Sequence, residues 1–563
     1  MHIRKLVMTV LGTLALGAQA PAATSSPAPA PTQLAPARVA AVRAAQASYI
    51  VQGPTLAVAR AAVRTVGGTV THELGIINAV AATLTRGQAQ ELRGDERLRL
   101  SANGSATVAS SSGTVQPYVV EYTQASQLHA SGITGKGVTI AFLDTGWWSQ
   151  NATQNDTAGH NVVLQGYDAL NPKGTLGVGA PSDGYGHGTH VLSIAANSAL
   201  SQDGTYIGVA PDAARVVVRA FDKNGQGTYA TVIQGIQWIL ANASTYKIRV
   251  VNMSFGAKPQ SFYWQDPLAQ AVMQLWKAGI VVVASAGNGG PGAQTITVPG
   301  NVPYVITVGA MTDNYTPTVA NDDRLDSFSS TGPTYEGFVK PEIVAPGGHV
   351  IGVLQSSSTI GKTYPQFLGT NGYLGSSYFY MSGTSMSAAV VSGTVALMLQ
   401  AQPSLTPDQV KCKLMSSARP AVDATGKLAY TVFQQGAGQI NAYNAVMNQN
   451  MTCANVGLNI AADLAGTQHY GGPAHQDAKT GNFYVVDQNG TPINQQGYVW
   501  NNGYVWNNGY VWNNGYVWNN GYVWNNGYVW NNGYVWNNGY VWNQSFVPST
   551  ASSSSINAWV SQE

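Results

Sequence analysis

The sequence predicts an α/β protein with a mostly parallel central sheet, preceded by a small ferredoxin-like α+β unit. Apolar runs rich in β-branched residues alternate with helix-like segments across residues 116–447, as expected for a sheet buried on both faces. Ahead of them, residues 48–100 carry a β-α-β-β-α-β succession of patterns,. The chain of 563 residues is too long for one core, so we expect several folded or processed pieces.

The composition suggests an exported protein. Charged residues make up only 9% of the chain and hydrophobic residues 44%, while small and polar uncharged residues fill the remaining positions. The formal net charge is +2 and no basic cluster follows the first residues. We therefore expect no nucleic-acid partner.

The N-terminus has the pattern of a secretory signal peptide over residues 1–20. Arg4 and Lys5 precede a short apolar run at 6–17, and the small-residue motif at 18–20 is typical of a cleavage site,. The apolar run is too short to span a bilayer, and no later stretch is long enough. These features predict free secretion without a transmembrane segment.

Residues 21–115 are predicted to hold a Pro- and Ala-rich leader and then the ferredoxin-like unit. Hydrophobic periodicity predicts its strands and helices in the following order: strand 49–51, helix 56–66, strands 69–74 and 76–84, helix 86–92 and strand 97–100. A Ser-, Gly-, Ala- and Thr-rich stretch at 101–113 then marks a boundary that a protease could cut,.

Two segments place a carboxylate and an imidazole at positions suited to chemistry. The stretch IAFLDTG (140–146) is an apolar strand ending at Asp144, where a turn or cap residue is the ordinary alternative. In GHGTH (186–190), two Gly residues flank His187, which makes it the better base candidate. We expect His190 to have a structural role.

A third segment, SGTSMS (382–387), opens a long helix-like run. Ser385 would lie at a helix N-terminus, where free backbone N–H groups and the helix dipole favour a developing negative charge. An ordinary N-cap serine is the alternative.

Together these segments resemble the subtilisin-like serine proteases (subtilases, peptidase S8), whose triad follows the chain order Asp, His, Ser. Four further blocks support the resemblance: VVNMSFG (250–256), ASAGN (284–288), FSSTGP (328–333) and KPEIVAPG (340–347). The resemblance implies the subtilisin-like three-layer fold and covers about 330 residues.

The resemblance also implies the catalytic roles. Ser385 would attack the scissile carbonyl, His187 would transfer the proton, and Asp144 would orient the imidazole. The side-chain amide of Asn288 would stabilise the oxyanion. The family pattern has Ala and Pro where this chain has Ser387 and Ala389; neither touches a reacting atom, and we expect the helix to persist.

Protein or peptide substrates would bind as an added antiparallel strand. No charged residue occurs in the segments expected to line the cleft, so we expect a neutral or apolar side chain before the cut bond. The substrate-binding candidates are Ser254, Phe255, Gly256, Ala284, Ser285, Ala286 and Gly287.

In the family, the small unit before the protease domain acts as an intramolecular chaperone and inhibitor. The chain would thus be a zymogen inhibited by its own propeptide, with self-cleavage between about residues 101 and 120. The resemblance implies no catalytic cofactor. Structural calcium is common in such proteases, but we assign no metal ligands in this chain.

The two cysteines leave their pairing open. Cys412 and Cys453 would both meet an oxidising exterior,, yet the sequence does not give their distance in space. They either form a disulfide or remain two thiols. Residues 448–496 carry no clear motif, and we interpret them as a linker of unknown role.

The C-terminal region holds the hexapeptide GYVWNN, repeated without change seven times and once more with a final Gln, over residues 497–544. One interpretation is an aromatic ladder that binds glycans, the cell surface or its own copies. The favoured one is a repeat-expanded spacer that can also self-associate. A polar tail follows at 545–563.

Other functional classes compete with the protease. One is a secreted adhesive protein with a vestigial protease domain, against which the complete set of triad residues argues. Another is an esterase or peptide ligase, which would share the acyl-enzyme chemistry.

Overall fold

The computed structural model describes residues 46–108, 119–172, 183–201, 204–314, 316, 322–369, 378–422, 428–486 and 490–493. The expected signal peptide, the hexapeptide repeats and the polar tail lie outside these residues. We refer to residues 46–102 as the N-terminal unit, to 119–447 as the main domain and to 448–493 as the C-terminal segment.

The N-terminal unit has the predicted β-α-β-β-α-β order. Its antiparallel sheet runs β2-β3-β1-β4, which is the ferredoxin-like arrangement. Side-chain caps fix both helix starts, since Thr55 accepts from Val58 N and Thr85 forms a capping box with Gln88,. Its elements are β1 (Gln46–Gln52), α1 (Leu56–Thr65), β2 (Thr69–Leu74), β3 (Ala79–Thr85), α2 (Arg86–Arg93) and β4 (Arg99–Ala102).

The elements of the rest of the described chain follow in order. The strands are β5 (Ser105–Val108), β6 (Thr139–Asp144), β7 (Val163–Asp168), β8 (Ala214–Arg219), β9 (Gln226–Thr228), β10 (Ile248–Met253), β11 (Phe255–Gly256), β12 (Val281–Ser285), β13 (Ile306–Thr312), β14 (Arg324–Leu325), β15 (Ile343–Pro346), β16 (Val350–Val353), β17 (Tyr378–Met381), β18 (Ala474–Gln476), β19 (Phe483–Val486) and β20 (Pro492–Ile493). The helices are α3 (Val119–Tyr122), α4 (Ala125–Ala130), α5 (Asn151–Gln154), α6 (His187–Ala195), α7 (Tyr229–Asn242), α8 (Pro267–Lys277), α9 (Thr359–Thr363), α10 (Thr384–Ala401), α11 (Pro407–Ser417), α12 (Val432–Gln435), α13 (Ala442–Met447) and α14 (Ile460–Leu464).

A mostly parallel eight-stranded sheet forms the centre of the main domain. Its order is β14-β13-β12-β10-β6-β8-β7, and β15 also pairs with β13. Among the described strands of this sheet, only the short edge strand β14 pairs antiparallel. Every residue of β6 and β12 is buried, because helices cover both faces of a parallel sheet. The prediction of a buried, mostly parallel sheet is therefore confirmed.

Helix α10 runs through this core without interruption, so Ser387 and Ala389 leave it intact as expected. It is the one described helix that is long and apolar enough to cross a membrane, which corrects the expectation that no stretch after the signal peptide is long enough. Of its 18 residues, 89% are buried in the fold. An apolar helix so enclosed is accounted for as a core helix of the main domain.

The C-terminal segment folds against the main domain and so differs from the linker interpretation. A disulfide joins Cys412 to Cys453, which settles the pairing that the sequence left open. The buried carboxylate of Asp463 accepts hydrogen bonds from the hydroxyls of Tyr263, at 2.6 Å, and Tyr304, at 2.9 Å. Side-chain contacts between distant residues, absent from the local sequence pattern, hold this segment.

Candidate active site

The carboxylate and the imidazole predicted for catalysis meet at the carboxyl end of the central sheet. Asp144 is the last residue of β6 and His187 the first of α6. Nδ1 of His187 lies 2.7 Å from Oδ1 of Asp144, and both side chains are buried. Because a carboxylate only accepts, the imidazole proton of this bond is on Nδ1, which leaves Nε2 as the basic nitrogen.

The turn before His187 requires a glycine. Gly186 has φ +106°, and a Cβ there would lie 2.7 Å from Ser358 Oγ and 2.9 Å from Leu354 Cδ1. Any other residue would be strained by its backbone and would clash with these side chains. The Gly before His187 thus sets where the helix begins.

The candidate nucleophile Ser385 lies in the first turn of α10. Its Oγ donates to the carbonyl oxygen of Ser254 at 2.9 Å, and Ser254 Oγ donates back to the carbonyl of Ser385 at 2.9 Å. Asn252 Nδ2 in turn donates to Ser254 Oγ at 2.9 Å. These bonds tie the start of the helix to the strand end that was predicted to bind substrate.

Asn288 follows β12 and faces the same helix start. Its Oδ1 accepts from Thr384 N at 3.0 Å and from Thr384 Oγ1 at 2.8 Å. Two donors on one atom identify that atom as the amide oxygen. Its Nδ2 is buried and has no hydrogen-bond partner among the described residues, so a donor is left for a developing oxyanion. Sequence reasoning assigned no role to Thr384, which orients this amide.

The segments predicted to bind substrate, residues 254–256 and 284–287, are all buried; we call them the two walls of the expected cleft. The Phe255 ring packs on Phe221 with centroids 4.9 Å apart, so it belongs to the core.

A threonine that the sequence did not single out lies between these walls. A Cβ on Gly256 would be 2.2 Å from Thr297 Oγ1, and one on Gly287 would be 2.7 Å from Thr297 Cγ2. Thr297 N also donates to Ala286 O at 3.0 Å. Its side chain therefore narrows the space between the walls. No local sequence pattern marks Thr297, because its position depends on the backbone bond to Ala286, which directly follows β12.

His190 has the structural role that was expected. Its Nε2 lies 2.9 Å from the carbonyl oxygen of Phe379. Burial lowers the pKa of His190 to about 3, so the ring is neutral at physiological pH. The described residues hold no group of three or more His, Cys, Asp or Glu that could bind a metal.

The strand that follows the N-terminal unit, β5, pairs with the wall that contains residues 254–256. Backbone pairing sets Val108 opposite Phe255 and Thr107 opposite Gly256, antiparallel. On its other edge this strand, β5, pairs antiparallel with β9. A segment that pairs antiparallel with a strand on each of its edges, as β5 does, has the backbone geometry of a peptide bound by strand addition,.

Comparisons with known proteins agree with this geometry. A family model described as "Subtilase family" matches residues 135–451. Serine protease AprX of Bacillus subtilis is 39% identical over 322 residues, which are 56% of this chain and 68% of that protein. Subtilisin E of the same species is 32% identical over 354 residues, 62% of this chain and 78% of that protein.

A solved structure shows the same fold. Fervidolysin from Fervidobacterium pennivorans, described as a keratinolytic enzyme related to subtilisin, superposes with a TM-score of 0.56 at 24% identity, covering 72% of this chain and 61% of that one. The likeness supports a subtilisin-like architecture with a mostly parallel sheet. Since the family model spans more than half of the sequence, the chain belongs to the subtilase family, peptidase S8, and is a serine-type endopeptidase that hydrolyses peptide bonds.

Proposed function

We propose that this chain is a secreted endopeptidase made as a self-processed zymogen, with Asp144, His187 and Ser385 as its triad. The observation that carries the triad is the buried 2.7 Å contact between His187 and Asp144, at the same end of the sheet as Ser385 in the first turn of α10. Ser385 Oγ attacks the scissile carbonyl, and His187 Nε2 takes its proton and later gives it to the leaving amine. Asp144 holds the ring and stabilises the imidazolium.

The tetrahedral intermediate needs donors that are in place before the reaction. The backbone N–H of Ser385 lies at the start of α10, where the first N–H groups have no partner within the helix. Asn288 Nδ2 is the second donor, and loss of one such donor typically costs 100- to 1000-fold in kcat. Subtilases need no catalytic cofactor, which fits these roles.

Self-processing is supported by β5 in the cleft. In an antiparallel register the residue after Val108 is the one that would pair with Ser254, whose carbonyl accepts the hydroxyl of Ser385. We therefore propose that self-cleavage breaks the bond between Ala109 and Ser110, two residues outside the described part of the chain. An alanine at this point suits a cleft narrowed by Thr297, and we propose a preference for small uncharged side chains before the cut bond.

The N-terminal unit is proposed as propeptide and inhibitor because its contacts extend beyond the cleft. Gln52 Nε2 donates to Gln270 Oε1 at 2.6 Å, and Ile76 N donates to Gln237 Oε1 at 3.3 Å. Directly after the unit, Gly104 O accepts from Tyr229 N at 2.8 Å. These bonds hold the unit on α7 and α8 while β5 blocks the substrate cleft.

Secretion is supported by the N-terminal signal pattern and by the Cys412–Cys453 disulfide, since disulfides persist mainly in oxidising compartments. Structural calcium stays part of the proposal without assigned residues. For the repeats we propose a spacer that can self-associate, with binding to the cell surface as the alternative.

The test is expression of the full chain beside a Ser385→Ala variant, followed by N-terminal sequencing and a casein assay with and without a fluorophosphonate. We expect mature wild type to begin at Ser110 and to digest casein in a fluorophosphonate-sensitive way, while Ser385→Ala stays unprocessed and inactive. Casein digestion by Ser385→Ala would refute the triad, and a mature N-terminus elsewhere would refute the proposed cleavage site.

A further inference from the structure

Asp183 is a buried acid that lies four residues before His187. Its Oδ1 accepts from Thr145 Oγ1 at 2.8 Å and from Gly186 N at 2.7 Å. Its Oδ2 accepts from the backbone N of Thr189, at 2.7 Å, and from its Oγ1, at 2.5 Å. Four donors thus satisfy a carboxylate that is withdrawn from solvent.

The donors come from the two chain segments that carry the acid and the base. Thr145 directly follows Asp144, whereas Gly186 and Thr189 flank His187. One carboxylate therefore connects the end of β6 to the first turn of α6. Hydrogen bonds to a charged acceptor are stronger than those between neutral groups, and this carboxylate takes part in bonds to both segments.

A second connection runs through the same threonine. Thr145 Oγ1 accepts from Gly188 N at 2.8 Å while it donates to Asp183. Because its single proton goes to the carboxylate, the hydroxyl presents its lone pairs to the helix. Thr145 N also donates to Asp144 Oδ1 at 2.8 Å, so the hydroxyl, the backbone and the catalytic carboxylate are fixed together.

We propose that Asp183, acting through Thr145, is a positioning residue that sets the separation and orientation of Asp144 and His187. This inference rests on the proposed triad. Asp183 supplies no proton to the reaction. It fixes the two elements from which the reacting groups project, and catalysis is sensitive to that placement because a shift of about 1 Å costs roughly 100-fold in rate.

The first test compares Asp183→Asn with Asp266→Asn in the mature enzyme. Asp266 is a matched control because it is another buried carboxylate at a helix start, accepting from Leu268 N at 2.8 Å, Ala269 N at 3.0 Å and Tyr229 OH at 3.0 Å. We expect Asp183→Asn to lower kcat roughly 100-fold with KM within about twofold, and Asp266→Asn to leave kcat within about twofold. Equal kcat losses in both variants, or none in Asp183→Asn, would overturn the proposal.

A second pair keeps the proposal testable if Asp183→Asn fails to fold. Thr145→Ser keeps the hydroxyl and Thr145→Val removes it at nearly constant volume. We expect Thr145→Ser to retain wild-type kcat and Thr145→Val to lose at least tenfold in kcat per fluorophosphonate-titrated site; similar kcat values for both would contradict the inference. Digestion by Ser385→Ala would instead refute the triad itself, so the two failures are distinguishable.

Discussion

The N-terminal unit and the main domain bury their sheets in different ways. In the main domain, parallel strands such as β6 and β12 are buried along their whole length. In the N-terminal unit the strands are antiparallel, and β2 buries one residue out of six. The sheet of the main domain forms the centre of its own core. The sheet of the N-terminal unit also depends for its burial on the domain against which it packs.

The alternation along β1 and β3 shows this dependence directly. Val51 and Val80 belong to a small core shared with α1 and α2. Their neighbours Ile50, Ala79 and Ala81 point to the opposite face and join the core of the main domain. One face of the sheet thus completes the unit and the other attaches it to the main domain, which agrees with the proposed role of the unit as a propeptide.

The largest expected effect comes from the docking face. Leu74 is fully buried in the main-domain core at the end of β2, so Leu74→Ala should cost about 2 to 4 kcal/mol. In the uncleaved Ser385→Ala chain, hydrogen exchange should show this loss in amides of residues 46–102, while β6 and β12 keep their protection. Val63→Ala, in the small core of the unit, is the comparison. If Val63→Ala lowers the protection of residues 46–102 much more than Leu74→Ala does, docking contributes little to the stability of the unit.

The next largest effect is the pH dependence that the buried carboxyl of Glu336 gives to the stability of the main domain. Burial raises the pKa of Glu336 to about 7 from an ordinary 4.5. Because the folded chain holds the proton of Glu336 more tightly than the unfolded chain, the resulting contribution to the free energy of unfolding is fully present below pH 4.5. It is lost as the pH rises through 7 and the buried carboxyl ionises,. Glu336→Gln should therefore be more stable than the parent at pH 8, by on the order of 3 kcal/mol, and similar at pH 4.5. Both are measured by urea denaturation in the Ser385→Ala background. A difference that does not change with pH would contradict this prediction.

The smallest effect is that of a single polar contact between the two regions. Gln52 donates to Gln270 at 2.6 Å, and Gln52→Ala should weaken docking by about 1 kcal/mol. Exchange rates in the N-terminal unit should rise about fivefold. The double variant with Gln270→Ala should add little beyond the single variants, whereas full additivity would mean that the two side chains do not interact.

The fold class and the N-terminal unit could be predicted because their signals are local. Runs of β-branched residues and the 3.6-residue period record how each segment buries its side chains. The cap residues Thr55 and Thr85 act within three residues of their partners. The segments around Asp144, His187 and Ser385 could be selected for the same reason: a reactive side chain at a strand or helix end, within two residues of a glycine, is visible in a few consecutive letters.

The sequence by itself determined the order of these elements and the residue types available for chemistry. Only the tertiary structure decided which distant groups meet: Asp183 with Thr145 across 38 positions, Asn288 with Thr384 across 96, and Cys412 with Cys453 across 41. It also decided that Thr297 lies beside both Gly256 and Gly287, that β5 pairs with β11 and that the C-terminal segment packs on the main domain. Such contacts arise when the whole chain is compact, because their free energy depends on burial and geometry that no short stretch of sequence contains.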